Sequence, residues 1–386
     1  MNYKTVVLLI ISIFNLFAQI EIDEKEIDEG IVHKRIINSE DTLIINILQV
    51  DLTKGNYTIE SLKADDLLKA RETTSKMAET FNDSLYRVIA AINADFFEAD
   101  GEVINNMVSG GEFVKAVKFT DTKFNPFVNT QFAITFDNRL LMEQFVFSGY
   151  IILPDGTHEQ VNRINSRIDS SSVSLYNSYQ GKFTPDVPDT WYNLEFVLKP
   201  IENKSDTLKF IVDKISKTDN MEIREDEYIL SCNNSYAYYF ERELTESDTV
   251  QLILKFNPDH KGIKTLVGGW PRIVHNGKNI ITSDKKVEGI FNGFSETKHP
   301  RSGVGFSKDS SIVYFITVDG RQETSRGMSL KEFADLLISE GVYHALNLDG
   351  GGSTAMIIQN KIVNSPSDLT GEREVSNCLV LLKRKD

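Results

Sequence analysis

Three aspartates stand at the ends of apolar runs, and each is followed by residues able to build a site. Asp95 closes Asn93-Ala94-Asp95-Phe96-Phe97. Asp319 closes Val318-Asp319-Gly320-Arg321. Asp349 closes Asn347-Leu348-Asp349 and leads into Gly350, Gly351, Gly352 and Ser353. A carboxylate at a strand end, beside backbone that turns tightly, sits on a rigid scaffold and still reaches a ligand. Such groups act as bases, as nucleophiles or as stabilisers of a developing positive charge. Asp95, flanked by two phenylalanines, is placed to have its pKa raised by apolar surroundings.

A second set of residues suits anions. Arg301 and Arg321 carry guanidinium groups that bind phosphate or carboxylate through two parallel hydrogen bonds. His299 precedes Pro300 and therefore sits in extended backbone; it can serve as acid, base or surface group. Three consecutive glycines cost backbone entropy and contribute no packing, so 350–352 suggests close approach by a ligand or by another stretch of backbone. Their N–H groups can form an anion nest. Each feature also has an ordinary reading: Asp-Gly is a common turn, arginines commonly form surface ion pairs, and glycines often mark a sharp connection.

Several chemistries are disfavoured by what is missing. No Gly-Lys-Ser/Thr follows the glycines, so this is not a nucleotide P-loop. A strand rather than a helix is expected after them, unlike a dinucleotide site. No G-x-S-x-G elbow frames Ser353, which leaves Ser-His-Asp catalysis unsupported. Six histidines include no HExxH pair, and the two cysteines, Cys232 and Cys378, cannot build a sulfur-rich metal site. No cofactor is expected; Ca²⁺ held by acidic oxygens is the alternative. In an oxidising compartment the two cysteines could pair.

The elements that must position these groups are legible in part. Residues 42–50 and 87–93 are apolar strand candidates, and 74–81 patterns as a short helix. Residues 130–260 contain short β-like runs separated by polar turns, which suggests antiparallel sheet. Asn276-Gly277 marks a hairpin. Residues 329–339 form the strongest helix, with Ser329 and Glu332 as a capping box and Gly341 as the stop. The fold class expected is α+β, a mixed or antiparallel sheet with a few packed helices and a β-rich middle.

Composition agrees with a folded, acidic protein. Among 386 residues, 56 are Asp or Glu and 42 are Lys or Arg, for a net charge of −14. That balance excludes a generally basic nucleic-acid binder, and 23 Phe with 13 Tyr supply a core. Residues 298–331 run the other way, with six basic groups against three acidic ones, a local cationic region suited to an anion. The N-terminus has Lys4, an apolar run over 6–17 and Ala18 before an acidic stretch. This pattern predicts a signal peptide at 1–18, hence a secreted, periplasmic or envelope protein with no stable membrane span after cleavage.

Six stretches together resemble the phosphodiester glycosidase family. They are N-A-D-F-F at 93–97, G-G-W-P-R-I-V at 268–274, H-P-R-S-G-V-G at 299–305, V-D-G-R at 318–321, G-M-S-L-K-E-F-A at 327–334 and L-N-L-D-G-G-G-S-T at 346–354. The resemblance covers about residues 88–383, with 130–260 matched poorly. The organisation it implies is an N-terminal α/β region at 19–87 packing on a main domain at 88–383. The chain departs from the common pattern at Ala94-Asp95 and at Trp270. The family includes bacterial relatives linked to exopolysaccharide biosynthesis.

The resemblance implies a hydrolase that splits a sugar from a phosphodiester, N-acetylglucosamine-1-phosphodiester-like or a related envelope glycan. On that reading Asp95, Asp319 and Asp349 are the catalytic candidates. Arg301, Arg321, His299, Asn93, Asn347, Gly350, Gly351, Gly352 and Ser353 bind substrate, a phosphorylated sugar or glycan. The alternatives are a glycoside hydrolase or lyase acting on a phosphate-free polysaccharide, and a noncatalytic glycan-binding envelope protein.

Overall fold

The computed structural model describes residues 20–81, 83–119, 128–166, 168–202, 207–281 and 287–385. The expected signal peptide lies outside them. Strands dominate, and apart from the short parallel pair formed by Arg163–Ile164 and Val173–Tyr176 the strand pairings described are antiparallel. The expected α+β class is therefore corrected toward a mostly β architecture: its helices are short and cap sheet faces.

The largest sheet of the site-bearing half has eight strands. Ile20–Asp28, Ile31–Asn38 and Leu43–Asp51 run on into Ile312–Val318, then Arg301–Phe306, His344–Asn347, Arg272–His275 and Lys278–Asn279. A five-stranded sheet faces it, with Tyr86–Asn93 between Met356–Ile358 and Asn377–Arg384, and Tyr57–Lys63 at one edge. Side chains alternate across each strand. Leu48, Val50, Val313 and Phe315 thus point into the core shared with Ile92, Leu379 and Leu381. Their neighbours Ile45, Ile47, Ile316 and Val318 face outward, onto the helix Leu330–Ser339.

That helix forms as its sequence predicts. The Ser329 hydroxyl accepts from the Glu332 N–H while the Glu332 carboxylate accepts from Ser329, a complete capping box. Leu330, Phe333, Ala334 and Leu337 are buried. The helix Thr74–Thr80 covers the outer face of the five-stranded sheet with Met77 and Ala78.

The described strands of the N-terminal region share sheets with strands of the main domain. Three of them continue the long sheet, and a fourth edges the facing one. The first three strands pair locally with one another, but the sequence of this stretch does not show the partners of Leu43–Asp51 on its other side or of Tyr57–Lys63, which lie hundreds of residues away.

The β-rich middle builds its own eight-stranded sheet, including Val146–Ile152, Asn193–Glu202, Tyr228–Asn233 and Thr249–Asn257. A further five-stranded sheet, with Gln131–Thr135 and Ile263–Val267, joins the two halves: Ala133 and Leu266 enter the middle's core, whereas Phe132, Ile134 and Val267 enter the other. Cys232 and Cys378 are both free and buried, in separate cores, so the pairing considered from sequence does not form. Among the described residues no helix is long and apolar enough to cross a membrane.

Candidate active site

The strand ends that carry the candidate residues meet at one edge of the sandwich. Arg301 pairs with Val318, and Gly303 pairs with Asn347, which brings the 299–303, 318–321 and 347–353 segments side by side. The facing sheet contributes Asn93. Its Nδ2 donates to the Asp349 carbonyl at 2.7 Å, and its Oδ1 accepts from the Ser302 hydroxyl at 2.7 Å and the Ala355 N–H at 3.1 Å. The Asp349 N–H returns to the Ala94 carbonyl at 2.9 Å. Buried Asn93 is thus the tie between the two sheets at the site, a role in positioning rather than in contact with solvent.

The glycine run has a steric reason. Gly351 has φ of 61°, and its N–H donates to the Pro300 carbonyl at 3.0 Å. A methyl group on Gly350 would sit 2.6 Å from that same carbonyl oxygen, and one on Gly351 would sit 3.0 Å from both terminal nitrogens of Arg321. The turn therefore lies flat against the 299–301 segment and under the Arg321 guanidinium.

The three aspartates differ in exposure. Asp349 is half-buried. Its pKa is pushed up to about 6, chiefly by burial, against the opposing pull of Ser353, the Gly350 N–H, Arg373 and Arg321. It is therefore largely ionised at neutral pH and held beside cations. Asp95 is only 1% exposed and accepts from the Asn105 side chain at 2.7 Å and its N–H at 3.2 Å; burial pushes its pKa up to about 7. Asp319 is 2% exposed, with pKa pushed up to about 6 by burial. Its Oδ1 accepts from the Ser365 N–H at 3.1 Å, so it holds the base of the 365–373 loop. Among the described residues no group of three or more His, Cys, Asp or Glu is arranged to hold a metal ion.

The two arginines also separate. Arg321 is exposed, with φ of 58°, and donates to His299 Nδ1 from Nη2 at 3.2 Å. His299 receives this bond as an acceptor, and burial followed by the two arginines lowers its pKa, so it stays neutral and orients Arg321. Arg301 is not placed as a surface clamp. It is 2% exposed and donates from Nε to the Met328 carbonyl and from Nη2 to those of Phe294 and Thr297. Its charge lies over the Phe294 ring at 5.3 Å. Sequence alone does not show that this arginine serves main-chain carbonyls.

Asn347 donates to the Trp270 carbonyl at 2.7 Å. Its Oδ1 and the Thr354 hydroxyl, both buried, have no hydrogen-bond partner among the described residues. Trp270, partly exposed, lies 4.6 Å from the Phe294 ring, with Phe96 and Phe291 against the same ring. Two groups escaped the sequence reading. Asn105 holds Asp95. Arg373 lies in a polar loop without periodicity, and its type was the only signal. A methyl on Gly352 would overlap both Arg373 Nη2 and Asp368 Oδ1.

These features define a β-sandwich with one half-buried carboxylate, a flat glycine turn and an exposed guanidinium gathered at its strand ends. The phosphodiester glycosidase family profile matches residues 209–382, so the match begins inside the 130–260 middle. The chain resembles the phosphodiester glycosidase family. Among curated proteins, bovine N-acetylglucosamine-1-phosphodiester alpha-N-acetylglucosaminidase is 33% identical over 110 residues, which is 27% of this chain and 20% of the bovine protein. Among solved structures, a hypothetical protein from Synechocystis superposes with a TM-score of 0.73 at 18% identity, covering 94% of this chain and 64% of that one. A Burkholderia pseudomallei protein superposes with a TM-score of 0.64 at 18% identity, covering 88% and 74%. These two share the fold.

Proposed function

We propose that this protein is an exported hydrolase that cleaves a sugar-1-phosphodiester, of the N-acetylglucosamine-1-phosphodiester kind or a related envelope glycan. The observation that carries the reading is the placement of Asp349 at the start of the glycine turn with the Arg321 guanidinium against that same turn. A phosphodiester substrate presents an anion beside an anomeric carbon. Arg321 and the turn suit the anion, and Asp349 suits the carbon that becomes electron-poor as its bond to oxygen breaks. Water adds hydroxide to C1, the C1–O electron pair leaves with the phosphate, and the water proton passes to Asp349. The products are a free sugar and a phosphate monoester. Because that leaving group is a weak base, a strong general acid is not required. The leader-like pattern of residues 1–18 supports export.

Purified protein incubated with a panel of sugar-1-phosphodiesters and plain glycosides tests the reading. Release of free sugar and phosphate monoester, lost in Asp349→Asn, is the expected result. Turnover of plain glycosides alone, or saturable sugar binding with no turnover, would overturn it.

A further inference from the structure

We propose that Arg373 is a second guanidinium for the substrate's phosphodiester anion, and that Asp368 is a resident carboxylate which this anion displaces. The inference rests on the function proposed above and names the binding partner of the same site. Two guanidinium groups bracket one turn: Arg321 over Gly351 and Arg373 over Gly352. Arg373 engages Asp368 through Nε at 2.7 Å and Nη2 at 3.0 Å. Paired N–H groups meeting two oxygens is also the geometry in which a guanidinium takes two phosphate oxygens. Both partners remain solvent-accessible, with side-chain exposures of 42% and 27%, so exchanging one anion for another carries little desolvation cost.

The loop is anchored where such an exchange needs it fixed. Gln322, next to Arg321, donates to the Ser365 and Pro366 carbonyls, each at 3.0 Å. Glu372 accepts from the Ser75 N–H at 2.9 Å and hydroxyl at 2.6 Å, and Glu374–Val375 pairs with Glu72–Thr73. The Arg373 backbone therefore stands between two fixed points while its side chain faces the turn. Asp368 lies on the free side, where a turn closed by the Gly371 N–H presents Leu369 fully to solvent.

Removal of the two members of an ordinary surface ion pair gives the same sign of effect; removal of a binding group and of its competitor gives opposite signs. Binding of inorganic phosphate by calorimetry, and KM for the best phosphodiester substrate, are measured for the wild type, Arg373→Ala, Arg373→Lys and Asp368→Asn. The expected result is a loss of about tenfold in affinity for Arg373→Ala, partial recovery in Arg373→Lys, and tighter binding in Asp368→Asn. Equal weakening in both loss variants, or no change in either, would overturn the proposal. The phosphate measurement reads Arg373 even if no phosphodiester is turned over, an outcome that would instead count against the proposed function.

Discussion

Asn93 donates to the carbonyl oxygen of Asp349 at 2.7 Å, across 256 positions of sequence. The same side chain accepts from Ser302 and Ala355. One buried amide thus fixes where the carboxylate stands relative to both sheets. Asn93→Ala leaves the Ala355 N–H and the Ser302 hydroxyl without their acceptor and frees the Asp349 backbone. It is expected to destabilise the fold by about 2 kcal/mol and to lower kcat more than it raises KM. Denaturant unfolding and steady-state kinetics check both.

Asp349 must be ionised to accept a proton or face a cationic carbon. With its pKa pushed up to about 6 by burial, activity is expected to rise with pH through about 6 and level off above it. His299, whose pKa is lowered by burial, needs only to remain neutral over the same range. Asp349→Asn is expected to lose about 100-fold or more in kcat. A pH–rate profile of kcat/KM for the wild type reads the limb.

Asp95 has the opposite relation between charge and stability from a salt-bridged carboxylate. Its folded-state pKa is about 7 because burial disfavours the charged form, whereas the unfolded value is near 3.8. The folded protein binds the extra proton between those values, so this group's contribution to stability falls as pH rises from about 4 to about 7. Asp95→Asn cannot ionise. Its melting temperature relative to wild type is expected to be higher at pH 8 than at pH 5 by several degrees, of order 5 °C, and parallel melts at the two pH values read the difference.

Arg301→Ala removes the donor for the carbonyls of Phe294, Thr297 and Met328 and the charge above the Phe294 ring. The expected cost is about 3 kcal/mol of stability, with the phosphate affinity of the folded protein unchanged. Arg321→Ala is expected to do the reverse, weakening phosphate binding with little effect on unfolding. Calorimetry and denaturant unfolding of the two variants separate burial from anion recognition.

The elements nearest the site were the most legible. Ser329 and Glu332 announce the helix, Asn276-Gly277 the hairpin, and the apolar runs before Asp95, Asp319 and Asp349 the strands, because each of these signals is local. What the sequence could not distinguish is exposure. Asp95, Asp319 and Asp349 look alike along the chain, yet partners distant in sequence bury the first two and leave the third half open. Arg301 and Arg321 separate for the same reason: one enters a strand facing the 291–297 segment, the other stands at a turn with a positive φ. The 365–373 loop has no apolar period, so nothing local marks Arg373 as a neighbour of the glycines.

The strand Leu43–Asp51 finds its second neighbour only in Ile312–Val318, Tyr86–Asn93 finds one of its neighbours in Asn377–Arg384, and Tyr57–Lys63 pairs within its sheet with that same strand alone. During synthesis these early strands must therefore wait, incompletely paired, until Asn377–Arg384 has been made. A nascent chain of this design cannot complete the five-stranded sheet while Asn377–Arg384 is still inside the ribosome's exit tunnel. Removal of that one strand opens an edge of Tyr86–Asn93 and at the same time leaves Tyr57–Lys63 without a partner in its sheet.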